Sequence, residues 1–315
     1  MPTYTQLHGI SDVDRDELIE QLQVNLMDFF NWGLLEAGGY TDVLIDISDT
    51  TEDATLLPVH MPGQPDGRIW QAPQRNWVWE TGLESLRQPI AVSGVYVDGT
   101  YHNLNTTGQY KHFVNYPEGR VVFDQPISTH SLVQAEYSYR WVNFYNQSVP
   151  WFRDVIFDAF RFEVGPDSLP SGVLGLLKDN AVQLPAVVIE TTATRRMVPK
   201  QIGDLSQIVY QDFLFHILTE NVADRDFMID VITLQKDKTF YLFDTNARAA
   251  ANKFGLNYHG SINPGGFTYP QLVQPSPDGF RWKRCVFNKM VGQETSVRLP
   301  LFRAIIRVTV EVDST

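Results

Sequence analysis

A change of hydrophobic period partway along the chain limits what it can fold into more than any other feature. Leu18, Leu22, Leu26 and Phe29 or Phe30 recur at helical spacing behind Ser11, Asp12 and an acidic first turn, until Gly38-Gly39 stops the run. Such a stripe is ordinarily a core face, with partner binding as the alternative use. From Gly67 to Tyr145 the period becomes two, with turn residues between the runs. Asp98-Gly99 between Val95-Tyr96-Val97 and Tyr101 is a hairpin signal, because both central residues tolerate positive φ. Tyr116-Pro117-Glu118-Gly119 is a second turn, leading into the strand Arg120-Val121-Val122-Phe123. Val133, Ala135, Tyr137, Tyr139 and Trp141 then alternate with Gln134, Glu136, Ser138 and Arg140. A small antiparallel sandwich or barrel is the natural product.

The stretches on either side are mixed. Val43 to Ile47 reads as a strand, and residues 48–66, with Asp49, Glu52, Asp53, Pro58, Pro62 and Pro65, resist regular structure and suggest a boundary. Trp151 to Phe162 reads as a helix, Leu184 to Thr194 and Val209 to Glu220 as strands, Asp224 to Ile232 as a helix and Phe240 to Phe243 as a short strand. Thr245 to Gly279, with Pro264-Gly265-Gly266, Pro270, Pro275 and Pro277, reads as a long irregular tract of the kind that serves as an interaction loop or disordered arm. Phe302, Ala304, Ile306, Val308, Val310 and Val312 face one way and Arg303, Arg307, Thr309 and Glu311 the other, a half-buried final strand. The expected class is α+β: a helix-flanked mixed or antiparallel sheet domain from 1–60 and 146–315, with an inserted small all-β domain at 61–145. Two β-rich domains in series is the alternative.

Chemistry is not legible in these residues. No glycine pattern of a phosphate loop or dinucleotide fold is present. Asp12, Asp14 and Asp16 alternate like calcium ligands, but Glu17 stands where the calcium loop turns on Gly, and acidic residues there suit a helix start. The seven histidines lack metal-binding spacing, and the one cysteine, Cys285, lies beside Val286 and Phe287 in an expected strand. No nucleophile elbow points to Ser-His-Asp chemistry. The expectation is therefore a protein that is not an enzyme, with no cofactor and no metal. No apolar run approaches the roughly 20 residues of a membrane span, and Met1 to Ile10 lacks the features of a signal peptide, so a cytosolic origin and no membrane contact are expected. Lys plus Arg number 25 against 37 for Asp plus Glu, a net charge of -12, which argues against bulk attraction to nucleic-acid phosphates.

Two clusters are candidates for interaction. Trp70, Arg75, Trp77 and Trp79 interleave aromatics with Arg and Gln between Arg68 and Glu80, a composition found both in cores and at interfaces. Arg195 and Arg196 with Lys200 make a basic spot in an acidic chain, either a solvated turn or a contact for an acidic patch or a DNA phosphate.

The Trp-rich segment from Arg68 to Gly82, the turn Val97-Asp98-Gly99-Thr100, the stretch from Asn115 to Asp124 and the strand Glu136 to Trp141 together resemble virion structural proteins of tailed bacteriophages. Leu184 to Glu190, Gln207 to Glu220, the helix near Asp224 to Leu234 and the strand Ile305 to Val312 are similar to the tail-terminator type of neck protein. The resemblance implies a helix-flanked sheet that assembles as a homo-oligomeric ring at the head-tail junction. It also implies neck, connector or tail-tube proteins as partners, passage of double-stranded DNA without sequence recognition, and a place in the virion after synthesis in the host cytoplasm. Stopper, collar and baseplate roles stay open beside tail terminator and head-tail connector. A carbohydrate-binding or carbohydrate-active protein using the aromatic β-domain is the alternative from another class.

Overall fold

The computed structural model describes residues 18–45, 54–80, 83, 87–149, 151–152, 182–201, 207–267, 281–298 and 301–314. The calcium-like Asp12, Asp14 and Asp16, the expected helix beyond residue 152 and the part of the irregular tract from 268 onward lie outside them. The molecule is mostly β, with 42% strand and 19% helix, so the expected α+β balance is only loosely matched. Among the described residues no helix is long and apolar enough to cross a membrane.

The first helix, α1, runs Leu18–Glu36 and buries Leu18, Leu22, Leu26 and Phe30, the stripe seen in the sequence. It closes at Gly38-Gly39, where the Gly39 N–H donates to the Leu34 carbonyl at 2.7 Å and the Gly38 N–H to that of Leu35. A strand at Tyr40–Val43 (β1) follows directly, three residues earlier than expected.

Seven short strands form one curled antiparallel sheet: β2 (Thr55–Val59), β3 (Ile69–Gln71), β4 (Gly94–Val97), β5 (Thr100–Asn103), β6 (His112–Asn115), β7 (Arg120–Phe123) and β8 (Val133–Gln134). Their order is β5-β4-β8-β2-β3-β7-β6. The β4–β5 hairpin has Asp98 and Gly99 at φ 49° and 80°, with Val97 paired to Thr100, as the Asp-Gly signal predicts. Strand β2 lies in the segment expected to be irregular. Its proline is tolerated because β8 pairs only Thr55 and Leu56, so Pro58 lies where β2 pairs with β3 alone. The sheet therefore begins before residue 61. The inner face packs Leu56, Trp70, Val95, Val121, Phe123 and Val133 against Trp77, Tyr116 and Tyr137.

The strand expected from Val133 to Trp141 is divided. After β8 the chain leaves the seven-stranded sheet and forms β9 (Tyr137–Arg140), which pairs with β1 as a two-stranded ribbon. It then enters a third sheet as β10 (Asn143–Asn146), parallel to β11 (Ala186–Pro199). This six-stranded sheet continues through β12 (Gln207–Thr219), β13 (Thr239–Phe243), β14 (Arg281–Arg298) and β15 (Leu301–Ser314), in the order β10-β11-β12-β15-β14-β13. Between β12 and β13 lies α2 (Val222–Thr233), where Asn221 accepts from the Asp224 N–H as N-cap.

Both helices cover one face of the six-stranded sheet. Leu22, Leu26 and Phe30 of α1 and Met228 and Ile232 of α2 pack against Phe213, Phe215, Ile217, Phe287 and the buried row from Ala304 to Val312. Polar groups on α1 fix its position. Gln23 Nε2 donates to the Ile189 carbonyl at 2.6 Å, while Asn25 donates to the Phe243 carbonyl at 3.0 Å and accepts from the Phe243 N–H at 2.8 Å.

The tract expected to be irregular from Thr245 opens with a short helix, α3 (Thr245–Ala250), capped by Asp244. The loop after it is held onto the seven-stranded sheet. The Tyr116 N–H donates to the Gly260 carbonyl at 2.9 Å, and the Ser261 hydroxyl donates to the Val114 carbonyl at 2.6 Å. Asn263 draws the loop's two ends together through the carbonyls of Asn252 and Phe254.

Candidate functional site

The face of the six-stranded sheet turned away from α1 and α2 carries a ladder of charged and polar groups. Strand alternation creates it: odd residues of β12 and even residues of β15 enter the core, so Tyr210, Asp212 and His216 share the opposite face with Arg303, Arg307, Thr309 and Glu311. At one end the His216 Nε2 lies 2.6 Å from Glu190, and Arg303 approaches Nδ1 at 3.0 Å. A guanidinium can only donate, so Nδ1 accepts and Nε2 carries the proton toward Glu190. Burial, assisted by Arg303, lowers the His216 pKa against the pull of Glu190, which keeps the imidazole neutral. Both ring nitrogens are engaged, which leaves no lone pair with which to take a proton from a substrate.

Further along, Asp212 is buried and accepts from Arg307 through both Nε and Nη2 and from the Thr309 hydroxyl at 2.6 Å. Next comes Tyr210, under the Arg196 guanidinium at 5.8 Å, with Glu311 accepting from Asn288 at 2.9 Å. The ladder ends where Lys200 donates to Asp313 at 2.6 Å. Of the basic spot expected around Arg195, Arg196 and Lys200, Arg196 and Lys200 meet groups of this ladder, whereas Arg195, paired with Gln211, belongs to the other face of the sheet. Lys200, read as part of either a solvated turn or a contact for an acidic patch or a DNA phosphate, meets the carboxylate of Asp313 in this chain's last strand. Arg195 is half-buried beside a bulge in β11, and Arg196 is exposed.

The Trp-rich cluster is placed elsewhere and is largely interior. Trp70 and Trp77 are each 1% exposed. Trp70 Nε1 donates to the Gly67 carbonyl, and Trp77 stacks on Tyr137 at 4.4 Å while its Nε1 donates to the Gln74 carbonyl. A fully enclosed indole offers a partner no surface in this fold, so these two residues act as anchors of the seven-stranded sheet. Trp79 is a joint. Its ring meets Trp32 of α1 edge-on at 5.9 Å and presses on Gly255 so closely that a Cβ there would lie 1.9 Å from it. Arg75 is half-buried, its N–H donating to Gln183 at 2.8 Å and its guanidinium 3.9 Å from Glu118.

Sequence reasoning missed the buried ion pair beside this joint. Glu80 accepts from Arg140 of β9, and burial raises the Glu80 pKa while Arg140 lowers it. It also missed the pairs of Asp212 and His216. A single charged residue in an alternating strand carries no local sign of its partner on another strand.

A small pocket of about 190 Å3 lies between α1 and β13, lined by Asn25, Asp28, Phe29, Thr239, Phe240, Tyr241 and Phe243. It falls below the roughly 300 Å3 at which small-molecule sites begin. Asp28 is held from behind by Arg248 at 3.1 Å, and Arg248 lies over the Phe254 ring at 4.7 Å. Among the described residues, no group of three or more His, Cys, Asp or Glu side chains is placed to hold a metal ion. Neither a protein-family model nor a curated protein sequence matches the chain.

Proposed function

We propose that this chain is a non-enzymatic structural subunit of a tailed-phage virion, assembling as a ring in the neck at the head-tail junction, as tail terminator or head-tail connector. One observation carries the reading. The six-stranded sheet has both flanking helices on one face and a fixed ladder of paired charges on the other, which suits the helix-flanked α+β unit of the resemblance. In that scheme the seven-stranded sheet is the additional β unit.

The net charge of -12 is compatible with a lumen through which duplex DNA passes without being gripped. Partners in this scheme are further copies of the chain and the connector or tail-tube proteins that meet the two faces of the ring. The carbohydrate reading needs exposed aromatic platforms in the β-domain, and the burial of Trp70 and Trp77 weighs against it. Negative-stain images of the purified protein test the proposal. Closed rings with an open centre are expected, and a field of single compact particles at every concentration would count against it.

A further inference from the structure

Tyr258, at 92%, is the most exposed of the large hydrophobic side chains among the described residues. An exposed Tyr at a mobile tip would mean little, but this one is held. The Asn257 side chain accepts from the N–H groups of His259 and Ser261 at 2.9 and 3.2 Å, and the Asn257 N–H donates to the Ser261 carbonyl at 2.8 Å. Tyr116 and Ser261 pin the turn to the seven-stranded sheet, and the His259 ring sits between Phe113 and Tyr258. The loop's ordering cost is thus met on folding rather than on binding. Tyrosines presented this way are typical anchors of protein contacts, since they bring a large area with few rotors.

The pocket between α1 and β13 has the complementary form. Its volume of about 190 Å3 suits a single ring, since a cavity of about 150 Å3 accommodates benzene. Phe29, Phe240 and Phe243 supply apolar wall. Asp28 supplies an acceptor, because a carboxylate has capacity beyond its contact with Arg248 and a phenol O–H can donate to it. Tyr258 is not among the residues that line this pocket in its own chain, so a Tyr258 ring seated there would be that of another copy.

We propose that Tyr258 of one copy seats in the α1–β13 pocket of the next copy. Knob and pocket are different patches of one surface, so the contact is heterologous and propagates from subunit to subunit, closing into a ring where the rotation permits. This deepens the ring reading and rests on it.

The test uses the full chain and measures native mass by sedimentation across a concentration series. Tyr258→Ala removes the knob at an exposed position, and Thr239→Trp fills the pocket from its exposed rim; circular dichroism checks that both stay folded. Each variant should weaken self-association about 30-fold, the scale of one hot-spot residue. Tyr258→Phe, which keeps the ring and loses the hydroxyl, should weaken it about 5-fold. An equimolar mixture of Tyr258→Ala and Thr239→Trp retains one working knob and one working pocket, so it should give one-to-one dimers and nothing larger. If either single variant assembles as the parent does, the knob-and-pocket contact is wrong while the ring stands. A parent protein that is monomeric at every concentration overturns both.

Discussion

The two large sheets solve the problem of register in different ways. In the seven-stranded sheet no strand exceeds five residues, whereas β12, β14 and β15 run 13, 18 and 14 residues. A long strand repeats its pattern often enough to specify its own pairing. A slip of one residue between β12 and β15 would turn Arg303 and Arg307 toward the helices and expose Ile306 and Val308. Short strands lack that repetition. Their alignment comes from tight turns such as Asp98-Gly99 and from large aromatic side chains fixed at the centre, Trp70, Trp77, Tyr116 and Tyr137. The short-stranded sheet should therefore depend on a few residues and the long-stranded one on many.

Four experiments probe this contrast. The largest effect is expected from Trp77→Ala, which removes an enclosed ring stacked on Tyr137 and should cost about 3–5 kcal/mol in denaturant unfolding. A cost under about 1 kcal/mol would mean that the short strands set their register without it. Next is Arg140→Ala, which strands the Glu80 carboxylate in the interior and should cost about 3 kcal/mol. Replacing the pair together, with Glu80→Leu and Arg140→Met, should recover most of that loss; failure to recover would place the importance of Arg140 in packing against α1 instead.

On the long-stranded sheet, Asp212→Asn keeps the shape but weakens the bonds from Arg307 and Thr309, and about 1–2 kcal/mol is expected. The smallest effect is the pH response of His216. Burial holds its folded pKa below the unfolded value of about 6.5, so the unfolded chain binds more protons as the pH falls. The stability it contributes is present above about pH 6.5 and is lost as the pH drops through the folded pKa. Urea midpoints of the parent should fall over that range more steeply than those of His216→Leu, and parallel curves would remove His216 from this role.

Local signals were readable wherever one element declared itself. The Leu18, Leu22, Leu26 and Phe30 spacing marked α1, the Asp-Gly pair marked the β4–β5 turn, and the alternation from Ala304 to Val312 marked β15. Around Cys285 a strand was readable, but the length of β14 was hidden because register shifts near Phe287/Lys289 and Gly292/Glu294 break its period of two. Strand β2 was hidden by Pro58, which reads as a breaker until its one-sided pairing is known. The six residues of α3 are too few to show a helical period.

The candidate surfaces were less legible than the fold. Arg195, Arg196 and Lys200 stood out as a local cluster, but only strand pairing brings Tyr210, Glu311 and Asp313 to Arg196 and Lys200 and turns Arg195 to the other face beside Gln211. The Trp-rich segment was visible by composition, which does not separate an interior anchor such as Trp77 from a joint such as Trp79. Asp28 and Thr239 meet in one pocket because α1 crosses the edge of a sheet whose strands lie two hundred residues downstream.

Native mass is the sharpest test of the proposal that this chain is a ring-forming structural subunit. Light scattering on the purified protein over a concentration series should show a discrete species of several subunits, with a mass that is an integer multiple of 36.0 kDa and constant once formed. A mass of one subunit at every concentration would contradict the claim.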